Sequence, residues 1–241
     1  MDNDTFDSLL KISKSVFYTD FLLALCQLIA IITILFSSHK KNHSALFLTY
    51  CCSAFILVIS GWIGYFFNSG NESLVFFEEL MSTIFAVLEY IVFYSFFKEI
   101  LTSKVIKKIM ILFNVFFVSV ITIFILVSFS NQVKLTMIYR NSNYIISTEL
   151  LFLSFLCLIY YFELFRKIPI NNLTQSPSFW IITSLFFYSI IITPFFMIIN
   201  EEFIISHKNI YYALFAFHYI SFSFLFLAIV NAFLCKKPLT T

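Results

Sequence analysis

Three residues concentrate the chemistry that this chain can perform in apolar surroundings: Glu89, Glu149 and His218. A carboxyl group facing an imidazole can relay protons, share a metal ion, or form the polar floor of a ligand site. Glu89 sits in the middle of VFFEELMSTIFAVLEYIVFYSFFKEI (residues 75–100), a stretch long enough to cross a bilayer. With an interface near Glu78 and Glu79, about 1.5 Å per helical residue puts Glu89 roughly 15 Å deep, the centre of a core about 30 Å thick. A carboxylate there is expensive and calls for a partner. His218, eight residues into the last apolar stretch, is the expected partner, with Tyr211 and Tyr212 above it. Glu149 opens another apolar stretch and is placed to line the mouth of a pocket above Glu89.

Further polar groups fall at comparable depth. Gln27 follows Asp20 by seven residues on one helical face. Tyr188, Thr193 and Pro194 share one segment, in which the proline should bend the helix and act as a hinge. Together these residues predict an outward-opening polar cavity bounded by the third, fifth, sixth and seventh segments. Each also has a plain structural role open to it. A buried Glu ties helices together, a His in an apolar helix is commonly satisfied by packing, and an acid at a helix start answers the helix dipole.

The elements that must position these groups follow from composition. The chain has 241 residues, of which 61% are hydrophobic and 12% charged, against about 45–50% and about 25% in ordinary soluble domains. Its mean hydropathy is +0.94. The bilayer must therefore be the solvent. Only 3 Gly and 4 Pro, with long unbroken apolar runs, favour helices over a β-barrel. Seven spans are expected, at residues 16–36, 44–67, 75–100, 105–129, 145–165, 178–199 and 210–234, forming one transmembrane domain over 1–241. The fold class is all-α, a polytopic seven-helix membrane protein. The connections, including 130–143, read as loops.

Basic residues set the expected orientation. Ten (Lys40, Lys41, Lys98, Lys104, Lys107, Lys108, Arg166, Lys167, Lys236, Lys237) flank one side, and five (Lys11, Lys14, Lys134, Arg140, Lys208) the other. The richer side is taken as cytoplasmic, giving an outside N-terminus and a cytoplasmic C-terminus. Asp2, Asp4, Asp7, Glu72, Glu201 and Glu202 fall on the outer side. Trp62 and Trp180 read as interfacial anchors, and Gly61 and Gly64 as points of close helix approach without the GxxxG pattern.

Several function classes are disfavoured. A net charge of +2 with no basic block speaks against nucleic acid. The five Cys (Cys26, Cys51, Cys52, Cys157, Cys235) have no metal-type spacing and read as packing thiols. The acidic N-terminus, MDNDTFDSLL, lacks the basic region of a cleaved signal. No Lys lies in 210–234, so a retinal Schiff base has no amine there. His39 and His43, in a basic loop, read as solvated. One proline without a matching repeat is a poor transporter signature, and the sequons at Asn3, Asn71 and Asn172 are chance matches.

The blocks LEYIVFYSFFKEILTSKVIKK, STELLFLSFLCLIYYFELF, IPINNLTQSPSFWIITSLFFY and FHYISFSFLFLAIVNAFLCKK resemble small seven-helix integral membrane proteins of Bacteroidetes bacteria. The group is mostly described as hypothetical proteins, some encoded near sensor histidine kinases. The matching motifs are Glu89, Glu149, the Pro177, Phe179 and Trp180 opening of the sixth helix, and His218 before Cys235 and Lys236. The resemblance implies a bacterial inner (plasma) membrane and a place beside signalling proteins such as a histidine kinase.

The expected function is that of a receptor or sensor-accessory protein. It would bind a small ligand, lipid or proton through Glu89, His218, Glu149, Tyr188, Gln27 and Tyr211, move about Pro194, and act through a partner protein. No cofactor is identified. The first alternative is an intramembrane enzyme acting on a lipid, with Glu89, His218 and Glu149 as metal ligands or acid/base groups. The chain lacks the His-x-x-x-His of the seventh helix in alkaline ceramidases, which counts against it. The second alternative is a channel or transporter.

Overall fold

A chain this apolar must close its backbone hydrogen bonds within each segment, because lipid offers none. In a computed structural model it does so as helices. The backbone is described for residues 3–37, 43–67, 72–130, 135–167, 176–199, 203 and 206–235; side chains are described for 16–37, 43–63, 80–123, 142–166, 176–199, 203 and 206–235. The helices are α1 (Asn3–Phe36), α2 (Ser44–Phe67), α3 (Glu72–Ile100), α4 (Lys104–Ser130), α5 (Leu135–Lys167), α6 (Pro177–Ile198) and α7 (Lys208–Leu234). Among the described residues, seven helices are long and apolar enough to cross a membrane. Most bounds fall within three residues of the expected ones.

Two helices overrun. α1 extends back to Asn3, and α5 begins at Leu135, inside the stretch read as a loop. Polar residues do not stop a helix. LTMIYRNSN contains neither Gly nor Pro, and its Ser142 and Asn143 turn into the bundle as buried residues. α6 opens with Pro177, where the missing N–H costs nothing. It then runs unbroken past Pro194 to Ile198.

Packing defines a closed ring of six helices, α1–α2–α3–α5–α6–α7 and back to α1, with α4 outside it against α5. The most extensive contact joins α1 and α7. Buried residues on the two helices include Leu23, Cys26, Ala30 and Ile34 of α1 and Leu225, Ala228, Ile229 and Ala232 of α7. Small side chains let two backbones approach where no hydrophobic drive separates protein from lipid. The α5–α6 contact is held by hydroxyls: Ser154 donates to Ser189 (2.8 Å), and Tyr161 to Thr183 (2.8 Å).

Contacts at the two ends fix the register. At one end the Trp62 indole N–H donates to the Asp20 carboxylate, and its ring stacks on Phe21 (6.3 Å). This is the end at which α1 begins, called the N-terminal end below. At the other end the Ser37 hydroxyl donates to the Phe233 carbonyl (3.3 Å), and His43 Nε2 pairs with Glu99 (2.7 Å). His43 is therefore not a solvated loop residue. Its side chain is 8% exposed and its ring meets Phe96 edge-on at 5.8 Å. His39 lies outside the described residues, as do the side chains of Lys11, Lys14, Lys40, Lys41, Glu72, Lys134, Arg140, Lys167, Glu201, Glu202, Lys236 and Lys237. Gly61 also differs from expectation. A Cβ there would meet nothing within 4 Å, so no helix approaches it.

Glu163 of α5 has a structural role at the same end as His43. Its carboxylate accepts the backbone N–H groups of Ser103 (2.9 Å) and Thr102 (3.2 Å), immediately before α4. A carboxylate from a neighbouring helix thus caps the start of α4 and complements its dipole.

Candidate functional site

Space remains inside the ring at its N-terminal end. A cavity of about 450 Å³ lies there, within the range of small-molecule sites (~300–1,000 Å³). Every ring helix contributes to its wall: Asp20 from α1, Gly61 from α2, Glu89 from α3, Glu149 from α5, Tyr188 from α6 and His218 from α7. The sequence reading named only α3, α5, α6 and α7 as its boundary. α2 enters because Tyr50, Ala54, Leu57 and Gly61 fall on one helical face, with small residues leaving the void.

Glu89, buried at mid-helix, is held by an unexpected partner. Tyr50 of α2 donates its hydroxyl to Oε1 at 2.7 Å, and both side chains are buried. The Tyr50 ring is itself clamped between Phe85 of α3 and Phe226 of α7, stacked on each at 5.6 Å. His218 does not take this role. Its imidazole lies among rings, stacked on Phe222 (5.9 Å), tilted to Tyr188 (5.7 Å) and edge-on to Phe196 (5.5 Å). Nδ1 of His218 has no hydrogen-bond partner. Residue 218 is half-buried and faces the cavity that it lines.

Glu149 is fully buried, and neither carboxyl oxygen has a hydrogen-bond partner. It lies close enough to Glu89 for the two carboxyls to interact electrostatically, and Tyr188 feels both. Leaving two buried acceptors unmade costs about 1–3 kcal/mol for each group. Such a group in a folded protein asks for an explanation.

The remaining expected residues divide. Tyr211 lines the cavity near its N-terminal end. Gln27 is fully buried but lies outside the cavity wall, and both its amide atoms lack partners. Pro194 is on the exposed face of α6, flanked by Thr193, whose hydroxyl donates to the Ser189 carbonyl (2.6 Å). Asn143, not singled out from sequence, is buried on the wall and donates to the Ile199 carbonyl (3.4 Å) at the end of α6. The Asp20–Trp62 contact gives the tryptophan a polar partner on the wall as well as an anchoring ring.

Chemically, the wall combines three carboxyls, a histidine and several aromatic rings. Among the described residues, no group of three or more His, Cys, Asp or Glu is arranged to hold a metal ion. Glu89, Glu149 and His218 therefore share a cavity without forming a ligand set. Among the described residues the chain is all-helical, with seven helices long and apolar enough to span a membrane, six of them enclosing a carboxyl-lined cavity. No protein family, curated protein or solved structure matches the chain.

Proposed function

We propose that this chain is a multi-pass receptor or sensor-accessory protein of a bacterial inner membrane. It binds a small ligand in the cavity between Glu89, Glu149 and His218 and passes the event to a partner protein. The observation that carries this reading is the cavity itself: about 450 Å³, floored by buried carboxyls and walled by all six ring helices. An occupant touching six helices can bias their arrangement, provided that it binds one arrangement better than the other.

The bias of basic residues supports an orientation with the cavity toward the outside. Lys98, Lys104, Lys107, Lys108 and Arg166 then gather on the cytoplasmic face, where Tyr94, Ser95, Lys98, Glu99 and Lys107 line a groove between α3 and α4. Movement of α6 about Pro194 is the proposed transmission step. Tyr188 and Phe196, on either side of the proline, both line the cavity. The resemblance to proteins encoded near histidine kinases names the kind of partner, a membrane signalling protein.

The test uses Gly61, where a side chain enters open space. A screen of small molecules against purified protein in lipid nanodiscs should yield compounds that raise its unfolding temperature. Gly61→Leu, filling the cavity, should remove that effect while leaving the unliganded protein folded. If no compound stabilises the wild-type protein, and crosslinking in native membranes captures no partner, the reading fails.

A further inference from the structure

The charge of the cavity narrows what it accepts. Asp20, Glu89 and Glu149 lie on its wall, and among the described residues no Lys or Arg does. Two of the three acids are already engaged, Asp20 by the Trp62 indole and Glu89 by the Tyr50 hydroxyl. Glu149 is the exception, fully buried with both oxygens unpartnered on the cavity wall. It shares the cavity wall with Glu89, whose carboxyl it feels electrostatically, in a medium where like charges repel and an intervening cation is strongly held. The same wall carries the rings of Tyr188, Phe215, His218 and Phe222, packed on one another.

We propose that the occupant is a small organic ammonium compound, its charged nitrogen held by Glu149 and Glu89 and its apolar body packed among the rings of Tyr188, Phe215 and Phe222. This rests on the reading of the cavity as a ligand site and specifies its chemistry. An ammonium N–H donor satisfies the two orphaned oxygens of Glu149, and aromatic faces attract the cation further. An inorganic cation would need more oxygen ligands than the wall arranges, and would leave the aromatic wall without a counterpart. An anionic ligand would meet three carboxyls and no basic side chain.

The proposal is tested with phenethylamine, tryptamine and N-methylphenethylamine against two matched compounds, uncharged phenethyl alcohol and anionic phenylacetate. Binding to the full chain in nanodiscs is read by calorimetry and by thermal shift. Amines should bind and stabilise, while the alcohol and the carboxylate should not. Glu149→Gln, which keeps the side-chain volume, should weaken amine binding at least about tenfold, as should Glu89→Gln. Gly61→Leu should abolish it by filling the void. Because the introduced side chain would point into empty space, that variant is expected to fold even if a carboxyl variant does not. If phenethyl alcohol or phenylacetate binds as tightly as phenethylamine and is lost in Gly61→Leu, the cation assignment is overturned and the ligand site stands. Amine binding that is unchanged in both Glu variants and in Gly61→Leu places the amines elsewhere and overturns the assignment too. If none of the five compounds binds, the amine proposal falls, and the wider screen decides the fate of the ligand site.

Discussion

At the scale of single residues, the fate of Glu89 is decided by Tyr50. The carboxyl was conspicuous in the sequence because an acid at the centre of a 29-residue helix has no cheap explanation. Its partner was not conspicuous. The chain has 13 Tyr, and an apolar segment gives no sign of which one turns a hydroxyl inward. His218 attracted attention as a titratable group, yet rings rather than carboxyls surround it. Interhelical hydrogen bonds in membrane proteins contribute about 0.6 kcal/mol on average and up to about 1.7. The Tyr50–Glu89 bond is buried and has a rigid donor, so it should fall in the upper part of that range. A double-mutant cycle of Tyr50→Phe and Glu89→Gln, read by unfolding in mixed micelles, should give a coupling near 1 kcal/mol or above. Additive effects would mean that the two side chains act independently.

At the scale of elements, apolar length located the helices well, and it failed where helix and hydrophobicity part company. The first turns of α5 are helical without being apolar, so a hydropathy reading placed its start too late, at 145. The cap on α4 was likewise invisible. Glu163 lies some 60 residues along the chain from the backbone N–H groups of Thr102 and Ser103, and no local pattern links them. Glu163→Ala should destabilise the protein by about 0.5–2 kcal/mol, as loss of a helix cap does. Amide exchange should speed up selectively in the first turn of α4, and uniform exchange across the bundle would argue against a capping role. α2 offers the opposite case. Gly61 occupies a helix interior with open space at its Cβ, so its flexibility is a cost without a packing return. Gly61→Ala should therefore stabilise by roughly 0.5–1 kcal/mol; a destabilised variant would show that something does approach this position.

At the scale of the whole molecule, the six-helix ring with α4 outside could not be read in advance. In a soluble bundle the polar face of each helix points to water, so periodicity identifies the core side. In lipid both faces are apolar, and that signal vanishes. α4 illustrates it: only 11% of its most apolar stretch is buried, against 50% for α5, although their hydropathies are nearly equal. Polar residues were the surviving guide, and they pointed to four of the helices on the cavity wall but not to the ring. The proposed orientation rests on a different signal, the ten-to-five asymmetry of Lys and Arg, and it would decide which compartment the cavity faces. Ser206, exposed before α7, and Thr102, exposed between α3 and α4, mark the two ends. Cys26, Cys51 and Cys157 are buried, so replacing the partly exposed Cys52 and Cys235 by Ser leaves a quiet background. A membrane-impermeant maleimide should then label Ser206→Cys in intact spheroplasts, and Thr102→Cys only after permeabilisation. The reverse pattern would turn the molecule over and open the cavity to the cytoplasm, leaving the proposed ammonium chemistry unchanged.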